Sequence, residues 1–309
     1  MTSRWTRPSM RSAAYNGYTS KEVSSLNHTI ISSAVSLSAL QQKLDLIANN
    51  IANINTVGYK KQQASFQDVL TTTLSQNPDM QLPGRMTQPG LTLGGGSMLV
   101  GLRTDLTQGT LQKTDNPFDL ALEGHAMFEI EVPIVNDDGT TGVQTLWTRS
   151  GRFHLSTVAG LPGYQVLTTP DGYPVRTVNN GYVAIPNYAD FRIDERGYVT
   201  YTNVDGSTGT AGQIKLMRVM RPDLIMAVSD NLFNVASGVQ DPNNVLQQVN
   251  FADASGEGIA VRQYYAEQSN VDLLSEMTEL IMVQRAYQLN ARALSAGDTM
   301  MNLANQLRR

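Results

Sequence analysis

The sequence predicts an α+β protein in which N- and C-terminal helices pair as a coiled-coil-like domain and a central, mostly antiparallel β domain is inserted between them. Three observations carry this. Apolar residues near the N-terminus recur at alternating steps of three and four. A long proline-free amphipathic stretch closes the chain. Between the two lie short alternating runs separated by turn-forming clusters. With 309 residues the chain is long enough to bury a core without a partner. Only 16% of residues are charged and the net charge is -4, so electrostatics give no reason to expect nucleic acid or an anionic membrane as partner, and no run approaches the roughly 18 apolar residues of direct membrane insertion.

Residues 1–25 show neither helical nor strand periodicity and carry Arg4, Arg7, Arg11 and Lys21 against Glu22 alone. They read as a disordered or non-native N-terminal extension. Lys21-Glu22-Val23, if encoded AAG-GAG-GTG, is a purine-rich ribosome-binding sequence just upstream of Leu26, which would place the natural start there. From Ile30 the spacing turns regular. Leu37, Leu40, Leu44, Ile47, Ile51 and Ile54 form a coiled-coil seam, ended by Thr56-Val57-Gly58 because glycine readily takes the left-handed conformation that closes a helix. The predicted helix, about 30–57, is roughly 40 Å long at 1.5 Å per residue.

Residues 71–115, rich in Thr, Gln, Gly and Pro, read as an extended connector. Runs such as FEIEV, FRIDERGYVTY and QIKLMRV, set between NDDG, PDG and DERG turns, place the β domain at 116–235. Residues 236–262 return the chain to a second helix from about Glu267 to Leu307. Its apolar stripe is Leu273, Met277, Leu280, Tyr287, Ala291, Leu294 and Met301, with Gln284 and Asp298 as polar interruptions. Either helix alone would expose its stripe, so residues 26–70 and 263–309 are expected to form one terminal-helix polymerisation domain.

Chemistry-bearing motifs are sparse. Cysteine is absent, which removes disulfides, thiolate nucleophiles and the usual zinc frameworks. His28, His125 and His154 lack metal-ligand spacing. Gly94-Gly95-Gly96 lacks the strand-then-helix setting and last glycine of a dinucleotide loop, and Asp137-Asp138-Gly139 reads as a hairpin turn. No G-x-S-x-G, H-E-x-x-H or P-loop pattern occurs. The expectation is a protein without catalytic, cofactor-binding or metal-binding residues. A cell-wall-acting enzyme is the reading from another class.

The helix backs are unusual. Between Ile30 and Asn55 only Lys43 and Asp45 are charged, and Asn49, Asn50, Asn53 and Asn55 lie around the seam. The second helix carries Gln268, Asn270, Gln284, Gln288, Asn290, Asn302, Asn305 and Gln306. Asparagine is a poor helix former. Neutral amides, however, can donate and accept across an interface without the desolvation cost of buried ions. Both helices are therefore expected to pack against neighbouring copies in an assembly whose contacts do not close, hence a filament or tube.

Four segments sharpen this. Asn49-Asn50-Ile51-Ala52-Asn53 with Asn55-Thr56-Val57-Gly58-Tyr59-Lys60, within residues 33–70, resembles the N-terminal signature of the bacterial flagellar rod and hook proteins. Residues 267–307, with Ser269-Asn270-Val271, Glu276-Met277 and Gln284-Arg285-Ala286-Tyr287, resemble that family's C-terminal helix. TQGTLQKTDNPFDLALEGHAMFEI (107–130) and LWTRSGRF (146–153) with Asp171-Gly172-Tyr173-Pro174 resemble its internal signatures. Ala126-Met127, where many relatives have glycine and an aromatic residue, and the insertion VPIVNDDGTTGVQ depart from the pattern. The resemblance implies a rod subunit, most like the distal rod, with the hook as alternative. It also implies terminal helices lining a hollow, torque-transmitting tube, with self and other rod or hook subunits as partners. Export through the flagellar type III apparatus without a cleaved signal follows from it too, and Phe66 to Leu70 resembles the export motif of early axial subunits.

Overall fold

The computed structural model describes residues 11–68, 71–74, 91–94, 96–135, 141–157, 163–187, 189–203, 205–229, 231–236, 242–251, 256 and 258–307. It divides into a helical unit (Met1–Ile47, Ala64–Gly101 and Met277–Arg309) and a body (Ala48–Gln63 and Leu102–Glu276). The architecture is α+β, two long helices and a large antiparallel β portion.

Helix α1 runs Arg11–Ala52 and α2 runs Leu273–Leu307. At 1.5 Å per residue they are about 63 and 52 Å long. α1 begins well before the expected residue 30, so residues 11–25 of the expected disordered extension are helical. No proline follows Pro8 in this stretch, so nothing in the backbone interrupts the helix. Residues 1–10 lie outside the described residues. Within the helical unit Lys43 Nζ reaches Glu279 Oε1 at 2.7 Å. A Cβ built on Gly297 would stand 3.1 Å from Ile30 Cγ1, so the Ile30 side chain sits directly on the α2 backbone because position 297 has no side chain. Thr71–Leu74 pairs antiparallel with Leu91–Gly94. Together with Ser97–Thr104 and Leu111–Lys113, these strands occupy the stretch expected to be a bare connector. Its threonines and apolar residues suit extended pairing.

The largest sheet of the body, among the described residues, is six-stranded and antiparallel, in the order Ile225–Ser229, Leu232–Val235, Thr141–Thr148, Ala126–Val135, Leu216–Val219, Leu246–Gln248. Alternation along Ala126–Val135 separates its two faces. Ala126, Phe128 and Ile130 enter the main core, where Phe128 meets Phe153 edge-on at 5.1 Å. Met127 enters a second cluster with Trp147, Met217, Ile225 and Phe233. Glu129 and Glu131 follow on the Met127 side, both buried. Glu129 is bonded by Lys215 at 2.8 Å, and Glu131 is paired with Arg176 and bonded by Tyr182.

The β portion extends beyond the expected limit at residue 235. Leu246–Gln248 joins the large sheet, Ala260–Gln263 pairs with Leu120–Glu123, and Tyr265–Glu267 pairs with Leu111–Lys113. The expected return connector therefore contributes two short strands, Leu246–Gln248 and most of Ala260–Gln263. Val261 and Ile259 are buried, which supplies the apolar burial that holds it there.

Candidate assembly site

The end of the N-terminal signature folds into the body as a buried polar joint. α1 stops at Ala52, and Asn53 begins the turn by bonding its amide Nδ2 to the Asn49 carbonyl at 3.1 Å while its Oδ1 accepts from Thr56 Oγ1 at 3.0 Å. Gly58 sits at φ +75°, and a Cβ there would lie 2.6 Å from Ser150 Cα. Only glycine satisfies both the conformation and the contact. Its N–H donates to the Glu267 carbonyl at 2.8 Å, so the first signature meets the start of the last. Gly151 is equally constrained, since a side chain there would collide with the Leu120 carbonyl.

Asn50 is 1% exposed. Its Oδ1 accepts from the Gln62 N–H and its Nδ2 donates to the Gln62 carbonyl, both at 3.0 Å, so the side chain imitates one rung of a sheet. The same amide reaches Glu276 Oε2 at 3.3 Å, and the Tyr59 hydroxyl lies 2.8 Å from Asn49 Oδ1 and 3.0 Å from Asn50 Oδ1. Asn50 is thus spent inside the chain, which corrects the expectation that it faces outward. A helix-ending amide is worth more where it can satisfy buried backbone groups.

Charge lies at the centre. Lys60, 2% exposed, donates to Glu267 Oε1 at 2.7 Å and to the Thr107 carbonyl at 2.6 Å. Arg149 donates to Glu267 Oε2 at 2.6 Å and spends its remaining nitrogens on the carbonyls of Gly124, Ala126 and Leu122. The Gly109 N–H adds a third donor to the Glu267 carboxylate at 2.9 Å. Burial pulls the Lys60 ammonium below the ordinary lysine range, against the attraction of Glu267, and Arg149 adds to the lowering. Burial pushes the other way on Glu267, yet Arg149 and Lys60 together hold its carboxyl below the usual range. The asymmetry is physical: the Glu267 carboxylate faces two cations, whereas Lys60 is drawn by Glu267 and weakly by Asp105 but repelled by Arg149. Beside this centre Asn270 accepts from the Lys61 N–H at 2.7 Å and donates to the Asp105 carbonyl at 2.9 Å, and Lys61 pairs with buried Glu276.

Along the helices, Ile47 is buried, and Leu37, Leu40, Leu44, Ile51, Asn53 and Ile54 are half-buried. Asn49 and Asn55 are exposed. On α2, Leu280, Tyr287, Ala291 and Leu294 are half-buried, but Leu273, Met277 and Gln284 are exposed. The inward line is instead Glu276, Leu280, Val283, Tyr287, Leu294 and Gly297. A second apolar row, Leu274, Ile281, Met282, Leu289, Met300 and Leu303, stands 50 to 76% exposed. Phe66 is half-buried with Lys43 Nζ 5.8 Å from its ring centre, and Leu70 lies outside the described residues.

Lys60, Arg149, Glu267 and Glu276 were not singled out by sequence reasoning as acting together. Each stands within or next to one of the four signatures, which was the available signal. Among the described residues no group of three His, Asp or Glu side chains is placed to hold a metal ion, and no helix is long and apolar enough to cross a membrane.

A chain whose first and last signatures are bonded into one joint, and which carries an uncovered apolar row along a helix, has the make-up of an assembling structural subunit. Comparison with known proteins specifies which. Residues 33–60 match the family model for flagella basal body rod protein, and residues 262–307 match that for the flagellar basal body rod FlgEFG protein C-terminal region. The flagellar basal-body rod protein FlgG of Caulobacter vibrioides is 34% identical over 89% of this chain and 97% of its own length. FlgG of Bacillus subtilis is 31% identical over 87% and 94%, and the flagellar hook-basal body complex protein FlhP of the same organism is 31% identical over 91% and 99%. The chain belongs to the flagellar basal-body rod protein family and is a structural subunit of the rod.

Proposed function

We propose that the protein is a distal rod subunit that polymerises through its terminal helices into a hollow, torque-transmitting tube. The observation that carries this reading is the apolar row on α2. Six large side chains at 50 to 76% exposure would be costly on a solitary helix in water, and burying them against neighbours supplies the driving force for assembly. The close approach at Ile30 and Gly297 and the Lys43–Glu279 pair support a coiled-coil-like pairing of α1 and α2 within one chain.

The residues that would pack between or within subunits are Leu37, Leu40, Leu44, Ile47, Ile51, Ile54, Leu280, Tyr287, Ala291 and Leu294, with the exposed Asn49, Asn55, Leu273, Met277 and Gln284 facing copies above, below or beside. Other rod or hook subunits are the neighbours at either end, and the flagellar type III apparatus is the export route, without signal cleavage. The role is mechanical rather than catalytic. The hook reading stands second, favoured by the relative named as a hook-basal body complex protein.

Electron microscopy of basal bodies from a strain lacking this gene tests the assignment. A rod truncated before the hook is the expected image. A complete rod lacking only its hook selects the hook reading, and an intact rod and hook overturns both.

A further inference from the structure

We infer that Glu267 is a charge gate for closure of the joint: the N-terminal signature docks onto the body only once this carboxylate stands between Lys60 and Arg149. The inference rests on the rod reading for its link to assembly, but its physical basis lies wholly within the body.

Lys60 comes from the segment after α1, Arg149 from the end of the Thr141–Thr148 strand, and Glu267 from the end of Tyr265–Glu267. Lys60 and Glu267 are 207 residues apart, and Arg149 and Glu267 are 118 apart. All three side chains are at most 3% exposed. Carbonyl oxygens of Thr107, Gly124, Ala126 and Leu122 complete the shells of the two cations, but they carry no formal charge. Without Glu267 the closed joint would hold two neighbouring buried cations, with neither carboxylate oxygen between them and only the weaker pull of Asp105 left on Lys60. Like charges in a desolvated site repel strongly, and neither has solvent to screen it. A chain that has folded its body strands but not yet placed residue 267 therefore keeps Lys60 out in water.

Closing the gate also settles the neighbouring bonds. The Glu267 backbone carbonyl takes the Gly58 N–H and its carboxylate takes the Gly109 N–H, so the glycine turn and the 107–109 segment are fixed in the same event. Asn270 and Glu276, a few residues on, then reach Lys61 and Asn50. In these terms the signature is held in its docked form by residues 267–276 of the body. Subunits lacking that part would present α1 from an open joint and be unfit to assemble.

Hydrogen exchange on the dilute full-length monomer tests the gate. Glu267→Gln keeps the shape of the side chain but removes its charge and turns one acceptor oxygen into a donor amide. Exchange of the Gly58, Tyr59 and Gln62 amides is expected to rise about 100-fold or more, with core amides of Phe128 and Ile130 unchanged. Adding Lys60→Gln removes the surplus cation and is expected to return protection to within about tenfold of the parent. If the joint were only a set of packed hydrogen bonds, the second change would deepen the loss, and that result overturns the gate, as does unchanged exchange in the single variant. Should Glu267→Gln also melt the body, the double variant decides: recovery supports the gate and continued unfolding refutes it. Swarming of a rod-deficient strain is read in parallel, with the single variant expected to fail and the double variant to recover. Failure of the parent chain to restore swarming counts against the rod reading alone, because the exchange result does not depend on it.

Discussion

The joint and the exposed side of α2 invert the usual arrangement of a soluble protein. In the joint, Lys60, Arg149, Glu267 and Asn50 are buried and bonded to partners within the chain. On α2, Leu274 and Leu289 are 76 and 64% exposed. Charge lies inside and grease outside. The difference shows which contacts the chain completes alone and which it leaves to others. Polar groups that must find specific partners find them intramolecularly, where geometry is assured, whereas apolar surface, which needs only a complementary face, waits for a neighbour.

The comparison breaks most sharply at Leu289. Leu289→Glu places a charge in the middle of the uncovered row and is expected to abolish rod assembly and swarming. Monomer stability should stay within about 0.5 kcal/mol of the parent in urea titration, because the position is already exposed. A large loss of monomer stability would show that the row is covered within the chain. Next comes Arg149→Met, which strips the main cation from a buried carboxylate and frees three carbonyl groups. A loss of about 3–5 kcal/mol is expected in the same titration. Gly58→Ala should cost about 1–3 kcal/mol, since a side chain at φ +75° is strained and the Ser150 backbone must also move. The half-exposed Lys43–Glu279 pair belongs at the bottom of the scale: Lys43→Ala is expected to change stability by about 1 kcal/mol or less, with the loss shrinking in salt.

Acid sharpens the same contrast. The Glu267 carboxyl is held low in the folded chain, so its contribution is present above the ordinary carboxylate pKa of about 4.3 and is lost as pH falls toward the folded value. The stability gap between the parent and Glu267→Gln should hold from neutral pH to about 4.3 and close below it. A gap that closes already near neutral pH would show that the carboxyl is not depressed.

Much of this was legible in the residues. The three-and-four spacing from Leu37 to Ile54 marks the later part of α1, and Gly58 does take the left-handed backbone that glycine permits, but the helix ends six residues earlier, at Ala52, where the Asn53 side chain turns the chain. The phase of α2 was legible in part: Leu280, Tyr287, Ala291, Leu294 and Met301 of the expected stripe are half-buried, but Leu273 and Met277 are exposed and Val283 and Gly297 are buried, because α2 carries large apolar residues on two sides and hydrophobicity alone does not say which side the same chain covers. The joint was hidden for a different reason. Lys60, Glu267 and Glu276 are residue types that normally lie in solvent, and what buries them is pairing across about 200 positions, which local pattern does not encode. Asn50 shows both effects. Its oddness in a helix was visible, but its use was assigned to neighbouring copies instead of to Gln62 in its own chain.

Trp147 carries a practical consequence. The chain has two tryptophans, Trp5 and Trp147, and Trp5→Phe leaves the second as the sole reporter. Trp147 is 9% exposed among Met127, Met217 and Phe233. A blue emission resistant to aqueous quenchers will therefore follow the integrity of the second cluster, an optical gauge of the body that needs no label.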